Sequence, residues 1–160
     1  MPLEVFVSHA HRDQKIAEAL VTFLNMGAGI EIRDIRCTSF APSGLQAGAD
    51  INSALRRDLK RCQYFMPLIT ANAAESDFVS FEIGAAWVLA KEIVPVVYKL
   101  ASRQRMPAIL SGLLSTDLTN KTALIKLATE LTSKIFHAND QTKAPQIVAA
   151  ANGFLSTIRR

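Results

Sequence analysis

Hydrophobic positions along the chain recur in two alternating rhythms. Leu3 to Ser8 is a short β-branched and aromatic run that predicts a buried strand, ending in a loop at His9-Ala10-His11-Arg12. Asp13 opens a segment with Ile16, Leu20, Phe23 and Leu24 at helical spacing, and Gly27-Ala28-Gly29 supplies its stop. A second strand is expected over Ile30 to Cys37, followed by an uncharged loop, Thr38 to Ala49, holding Pro42, Gly44 and Gly48. Asp50 can cap a helix whose face is Ile51, Leu55, Leu59 and Cys62, and Tyr64 to Ile69 reads as a third strand. Ser76 or Asp77 can cap a helix running to about Lys91, before a fourth strand over Ile93 to Tyr98. Pro95 lacks a ladder donor, so an edge position or a local irregularity is expected there. Beyond it come a basic loop, Lys99 to Arg105, a short helix over Pro107 to Leu114 and a last short strand over Ser115 to Leu118. Leu124, Leu127, Leu131 and Ile135 define an amphipathic helix. A polar linker, His137 to Pro145, then leads to a terminal helix carrying Ile147, Ala150, Ala151, Phe154, Leu155 and Ile158. Strands alternating with helices predict a parallel sheet covered on both faces, with ligands at the carboxyl ends of its strands.

Glu82 breaks this pattern. It stands in Ser76-Asp77-Phe78-Val79-Ser80-Phe81-Glu82-Ile83-Gly84-Ala85-Ala86-Trp87, a stretch otherwise dominated by apolar and small residues. Helical geometry puts it on one stripe with Phe78, a turn earlier, and Ala85 and Ala86, a turn later, close to the apolar side. A partly buried carboxylate is costly unless it is paired or used. The competing reading is a surface glutamate paired with Lys91 or Lys99; Phe78 has a plain core alternative, and Trp87 is expected in the core rather than at a ligand.

Composition changes the picture little. The 160 residues suit one domain, with 49% hydrophobic and 20% charged residues, and no apolar run reaches the roughly 20 residues that span a bilayer. The amino terminus shows no secretory pattern, so a cytoplasmic address is expected. Cys37 and Cys62 are too far apart and too few for a disulfide framework or a zinc site, and reduced, structural thiols are expected. The net charge of +4 includes Arg56, Arg57, Lys60 and Arg61, Arg103 and Arg105, and Arg159-Arg160. These read as solvated helix faces, with no direct nucleic-acid binding predicted.

His9 and His11 have a spacing some metal sites use, but no third ligand accompanies them, so no metal is predicted. Gly44 and Gly48 lack the lysine and hydroxyl residue of a P-loop, and no Gly-x-Gly-x-x-Gly follows the first strand. A hydride-carrier role for NAD+ is therefore disfavoured.

Three motifs in order carry a family resemblance: Val5-Phe6-Val7-Ser8-His9, the Cys37-Thr38-Ser39 run leading into Gly44 and Gly48, and Ser76-x-Phe78-x-x-x-Glu82-Ile83-Gly84. The chain resembles a Toll/interleukin-1 receptor (TIR) domain, most closely of the bacterial type, over Leu3 to Tyr98. The resemblance implies a flavodoxin-like fold with a mostly parallel five-stranded sheet, a TIR unit over 1–136, and a linker with a terminal helix over 137–160. It also implies cleavage of NAD+, as substrate and with no cofactor, between nicotinamide and ribose. Glu82 matches the family's catalytic glutamate, and Phe78 matches the aromatic position four residues before it, where many relatives carry tryptophan. The implied substrate-binding set adds Ser8, His9, His11, Arg12, Ser39, Phe40 and Gly44, with Arg12 the candidate for phosphate. Pro42, Leu45 and Gly48 fall in the loop through which similar domains reach a neighbouring protomer, so self-association is expected. A free-standing domain of this kind also implies a partner domain beyond Arg160 or a separate activating protein.

The chemistry suits a lone carboxylate. Nicotinamide leaves NAD+ neutral, and positive charge develops on the ribose, where Glu82 could stabilise it and accept hydrogen bonds from ribose hydroxyls. Three functions compete: an NAD+ glycohydrolase, also a cyclase if adenine captures the ribosyl centre, in antiphage or another toxic response; a non-catalytic TIR–TIR interaction module; and a nucleoside deoxyribosyltransferase-like enzyme.

Overall fold

The computed structural model describes residues 4–37, 51–100, 106–137 and 143–160. Its strands are β1 (Val5–Ser8), β2 (Ile35–Cys37), β3 (Tyr64–Ile69), β4 (Glu92–Ile93), β5 (Val96–Val97) and β6 (Thr116–Asp117). The helices are α1 (Gln14–Ala28), α2 (Ile51–Arg61), α3 (Ala71–Ala74), α4 (Asp77–Val88), α5 (Lys121–Phe136) and α6 (Ala144–Ile158).

All strand pairs are parallel, in the order β2-β1-β3-β5-β6, with β4 also on β3. β4 and β5 share one strand position that Pro95 divides. Tyr64 and Phe65 pair with β4, Leu68 and Ile69 pair with β5, and between them Val94 donates its N–H to the Phe65 carbonyl at 2.8 Å. Pro95 has no N–H to offer, though its carbonyl accepts from Thr116 at 3.0 Å. Counted by position the sheet is five-stranded, in the doubly wound order 2-1-3-4-5, whose switch point lies between β1 and β3.

Period-two alternation sorts the central strands between two cores. Val5 and Val7 of β1 and Ile35 and Cys37 of β2 join α1, α5 and α6 through Leu20, Leu24, Leu127 and Phe154. Phe6 and Phe65 face the other way, onto Leu59 of α2, Ala73 of α3, and Val79, Ile83 and Ala86 of α4. On the first face α6 lies close against α1: a Cβ at Gly27 would stand 3.2 Å from that of Ala150, and the rings of Phe23 and Phe154 are 5.8 Å apart. Gly29 ends α1 in the left-handed region, with φ of 74°.

Three expectations need correction. Ile30 to Cys37 is not one strand, because a 3-10 turn at Ile32–Asp34 precedes β2; Ile32 there is exposed and has no sheet neighbour to cover it. The helix over Pro107 to Leu114 shrinks to a 3-10 turn at Ala108–Leu110, which buries Leu110 alone. Trp87 is not core: it is 60% exposed on the outer side of α4, away from the Val79, Ile83 and Ala86 stripe. Both cysteines are buried thiols, and burial pushes that of Cys62 up to about 11. The Thr38 to Ala49 loop, the Asp50 cap, Arg103 and Arg105 lie outside the described residues. No helix among the described residues is long and apolar enough to cross a membrane.

Candidate active site at the carboxyl end of the first strand

Helix α4 begins at Ser76, whose hydroxyl oxygen accepts from the Val79 N–H at 3.3 Å. Val79, Ile83 and Ala86 follow at intervals of four and three and bury against the sheet. Glu82 precedes Ile83 by one position, and this offset turns its side chain along the flank of the stripe toward the end of β1. It is only 4% exposed.

Ser8, the last residue of β1, donates its hydroxyl hydrogen to Oε2 of Glu82 in a short hydrogen bond. Oε1 is buried and has no hydrogen-bond partner among the described residues. Burial pushes the Glu82 carboxyl up to about 7; the Ser8 hydrogen bond and the positive charge of Arg36 oppose the rise. Arg36 projects from β2 and forms an ion pair with Asp58 of α2 at 3.2 Å. Lys91, a proposed partner for Glu82, instead donates to the carbonyls of Lys60 and Cys62 at 2.5 and 2.8 Å, tying the end of α4 to the end of α2.

Glu82 lines a groove of about 290 Å³ between α2 and α4. Phe78 and Phe81 form one wall, Leu55 and Leu59 the other, and Phe6 contributes from the sheet. Arg56 is exposed and sets a positive charge at the rim. Phe78, 41% exposed, presents part of its ring to solvent as well as to the groove. The volume lies at the low end for small-molecule sites and matches a ring and a sugar better than a whole dinucleotide.

The other residues singled out from the sequence scatter. Ser8 meets Glu82 directly. His9 is 3% exposed, donates from Nδ1 to the Ala10 carbonyl at 2.7 Å, and is held below the usual imidazole range by burial. His11 and Arg12 are exposed in the 3-10 turn His11–Asp13, and neither they nor His9 lines the groove. Ser39, Phe40, Pro42, Gly44, Leu45 and Gly48 lie outside the described residues. Among the described residues no group of three or more His, Cys, Asp or Glu is placed to hold a metal ion.

Two features were missed from sequence. Arg36, opposite Phe6 in the sheet, pairs with Asp58 of α2; the available signal was a charged residue between Ile35 and Cys37 in a strand facing two cores. Asp13 is 4% exposed and accepts from Thr70 Oγ1 at 2.5 Å and Asn72 Nδ2 at 2.7 Å, tying the start of α1 to the end of β3. These partners are 57 and 59 positions away, beyond local pattern.

A doubly wound parallel sheet with a carboxylate beside its switch point defines an α/β domain of the flavodoxin-like class. The chain belongs to the TIR domain family, whose model matches residues 5–130. It is 29% identical over 85 residues to the uncharacterized protein YddK of Bacillus subtilis strain 168. That alignment covers 53% of this chain and 32% of YddK, so the chain spans about a third of that relative's length. In structure it resembles the TIR domain of the Toll-related receptor TRR-2 from Hydra magnipapillata, with a TM-score of 0.56 at 13% identity, covering 83% of this chain and 94% of that one. The TIR domains of the activated Roq1 resistosome, which recognises the effector XopQ, give a TM-score of 0.48 at 15% identity over 96% of this chain and 84% of theirs.

Proposed function

We propose that this TIR domain is an NAD+ glycohydrolase with Glu82 as its catalytic carboxylate. The observation that carries the reading is the state of Glu82: buried in an apolar groove, with Oε2 held by Ser8 and Oε1 without a partner among the described residues. A buried carboxylate oxygen without a partner is costly, and a ligand hydroxyl that reached it from the groove would supply the missing hydrogen bond; ribose offers two. In the reaction the C1′–N bond of the nicotinamide riboside half breaks, its electron pair neutralises the pyridinium nitrogen, and nicotinamide leaves. Positive charge spreads over C1′ and the ring oxygen, where ionised Glu82 stabilises it. Water then bonds to C1′ and loses a proton, giving ADP-ribose; attack by the adenine of the same molecule gives a cyclic product instead. Phe78 stacks on nicotinamide or ribose, and Arg56 at the rim faces the phosphates.

Residues 1–136 form the catalytic unit in this reading, with 137–160 a linker and a helix packed on it. The unit acts in the cytoplasm in antiphage or another toxic defence, with NAD+ as substrate and no cofactor. It becomes active on self-assembly, under a separate sensor or activating protein. The alternative of a non-catalytic TIR–TIR module is favoured by one observation, the exposure of Phe81, Trp87 and Val88 along α4, at 71%, 60% and 74%.

Concentrated protein incubated with NAD+, with nicotinamide, ADP-ribose and cyclic products resolved, tests the reading beside Glu82→Ala and Glu82→Gln. Nicotinamide release by the wild type and a fall of two or more orders of magnitude in both variants are expected. Full activity in folded Glu82→Ala would remove Glu82 from the chemistry. No turnover even by assembled protein would leave the interaction module, and deoxyribose exchange between bases would point to the transferase.

A further inference from the structure

The Arg36–Asp58 pair lies where an apolar contact would be expected. Parallel register sets Arg36 opposite Phe6, and alternation sends both to the sheet face covered by α2 and α4, while Ile35 and Cys37 enter the opposite core. Ser8, two residues beyond Phe6, points to the same face and holds Glu82. The side chains of Arg36 and Asp58 are only 14% and 19% exposed, so both charges are largely desolvated. Such a pair adds little stability over apolar residues of the same volume, because the desolvation of two ions offsets their attraction. A role beyond stapling β2 to α2 would account for its presence.

Among the described residues, Arg56 of α2 lines the groove with Glu82, and Arg36 of β2, paired with Asp58 of α2, adds its charge from the neighbouring strand. β1 presents only neutral Phe6 and Ser8 to it. Arg56 is exposed and screened by water, and Asp58 is turned to Arg36. Arg36 is the shielded cation of the three described groups, and it stands beside Phe6, which lines the groove with Glu82. We infer that Arg36, paired with Asp58, is a positioning residue of the Glu82 site, supplying from the neighbouring strand β2 the positive field that lets a carboxylate in an apolar wall carry its charge. For the reaction it rests on the NAD+ glycohydrolase reading, because charge stabilisation at ribose needs Glu82 ionised. Arg36 Nε lies 3.2 Å from Asp58 Oδ2 as an ion pair without a hydrogen bond.

Carbon-13 titration of the Glu82 carboxyl, in protein labelled at glutamate, reads this coupling without any turnover. Arg36→Met is expected to raise the Glu82 midpoint by about one pH unit, roughly tenfold in its ionisation constant. Arg36→Lys, which keeps the charge, is expected to restore most of the shift. If Arg36→Met fails to fold, the double variant Arg36→Met/Asp58→Leu, which leaves no unpaired buried charge, is expected to show a smaller rise in the same direction, because the opposing charge of Asp58 is removed with that of Arg36. The acid limb of nicotinamide release moves with the midpoint while KM for NAD+ stays within twofold. An unmoved midpoint in a folded variant, or an Arg36→Lys shift as large as that of Arg36→Met, would overturn the inference. So would a moved midpoint beside a fixed activity profile. Failure of the wild type to cleave NAD+ would strike the glycohydrolase reading instead, and the carboxyl titration would still decide the coupling.

Discussion

Ser8 at the end of β1 donates its hydroxyl hydrogen to Glu82 in the middle of α4, across 74 positions of sequence, and Glu82 in turn lines the groove between α2 and α4. Replacing Ser8 by Ala leaves Oε2 as buried and unpartnered as Oε1. The expected loss is about 1–3 kcal/mol of stability in urea unfolding. Because the hydrogen bond favours ionised Glu82, its removal also moves the carboxyl further upward, and the acid limb of activity follows.

Glu82 titrates near pH 7, so the fraction able to stabilise positive charge rises steeply across neutrality. Nicotinamide release under kcat/KM conditions, with NAD+ well below KM, is expected to increase about tenfold per pH unit well below that midpoint and to level off above it. An initial-rate profile from pH 5 to 9 checks this, and a flat profile across that range would contradict it.

The same carboxyl makes stability depend on pH. Its folded value of about 7 stands above the ordinary 4.5, so the folded state holds the proton more tightly than the unfolded chain. That contribution is complete below about 4.5 and is lost as pH rises through about 7. Glu82→Gln, which does not titrate, is expected to gain on the wild type over this window, by on the order of 2–3 kcal/mol at pH 8 relative to pH 4. Paired Tm measurements of the two proteins at both pH values test it; a constant difference would show that Glu82 is not desolvated.

Phe78 faces both solvent and groove, so its truncation separates binding from folding. Phe78→Ala is expected to raise KM for NAD+ roughly tenfold while Tm changes by less than about 3 °C, and Phe78→Trp to retain or lower KM. Unchanged KM in Phe78→Ala would place the nicotinamide elsewhere.

Asp13 binds Thr70 and Asn72, and Thr70 in turn accepts from the Ala73 N–H at 3.1 Å to cap α3. Asp13→Ala strands these donors at the strand ends, and a loss of about 3 kcal/mol is expected in urea unfolding. Asp13→Asn, which keeps one acceptor, is expected to lose less.

Element type was legible where the pattern was strong. The apolar run over Tyr64–Ile69 is a central strand, the Ile16, Leu20, Phe23 and Leu24 spacing is helix α1, and Pro95 divides its strand position as its missing donor requires. The short elements were not, because two or three residues carry too little pattern, as at the turn Ile32–Asp34 and in the reduction of Pro107 to Leu114 to the turn Ala108–Leu110. Trp87 escaped for a related reason. Helix α4 is apolar nearly all round, and only the sheet decides which side is covered.

By itself the sequence determined the alternation of strands and helices, the family to which it belongs, and the oddity of one carboxylate in an apolar helix. Those are properties of neighbours in the chain, and spacing records them. Tertiary structure alone decided that Glu82 meets Ser8, that Arg36 pairs with Asp58, and that His9, His11 and Arg12 do not line the groove. Each depends on which strand ends and helix flanks are brought together, and hence on desolvation, which no local pattern encodes.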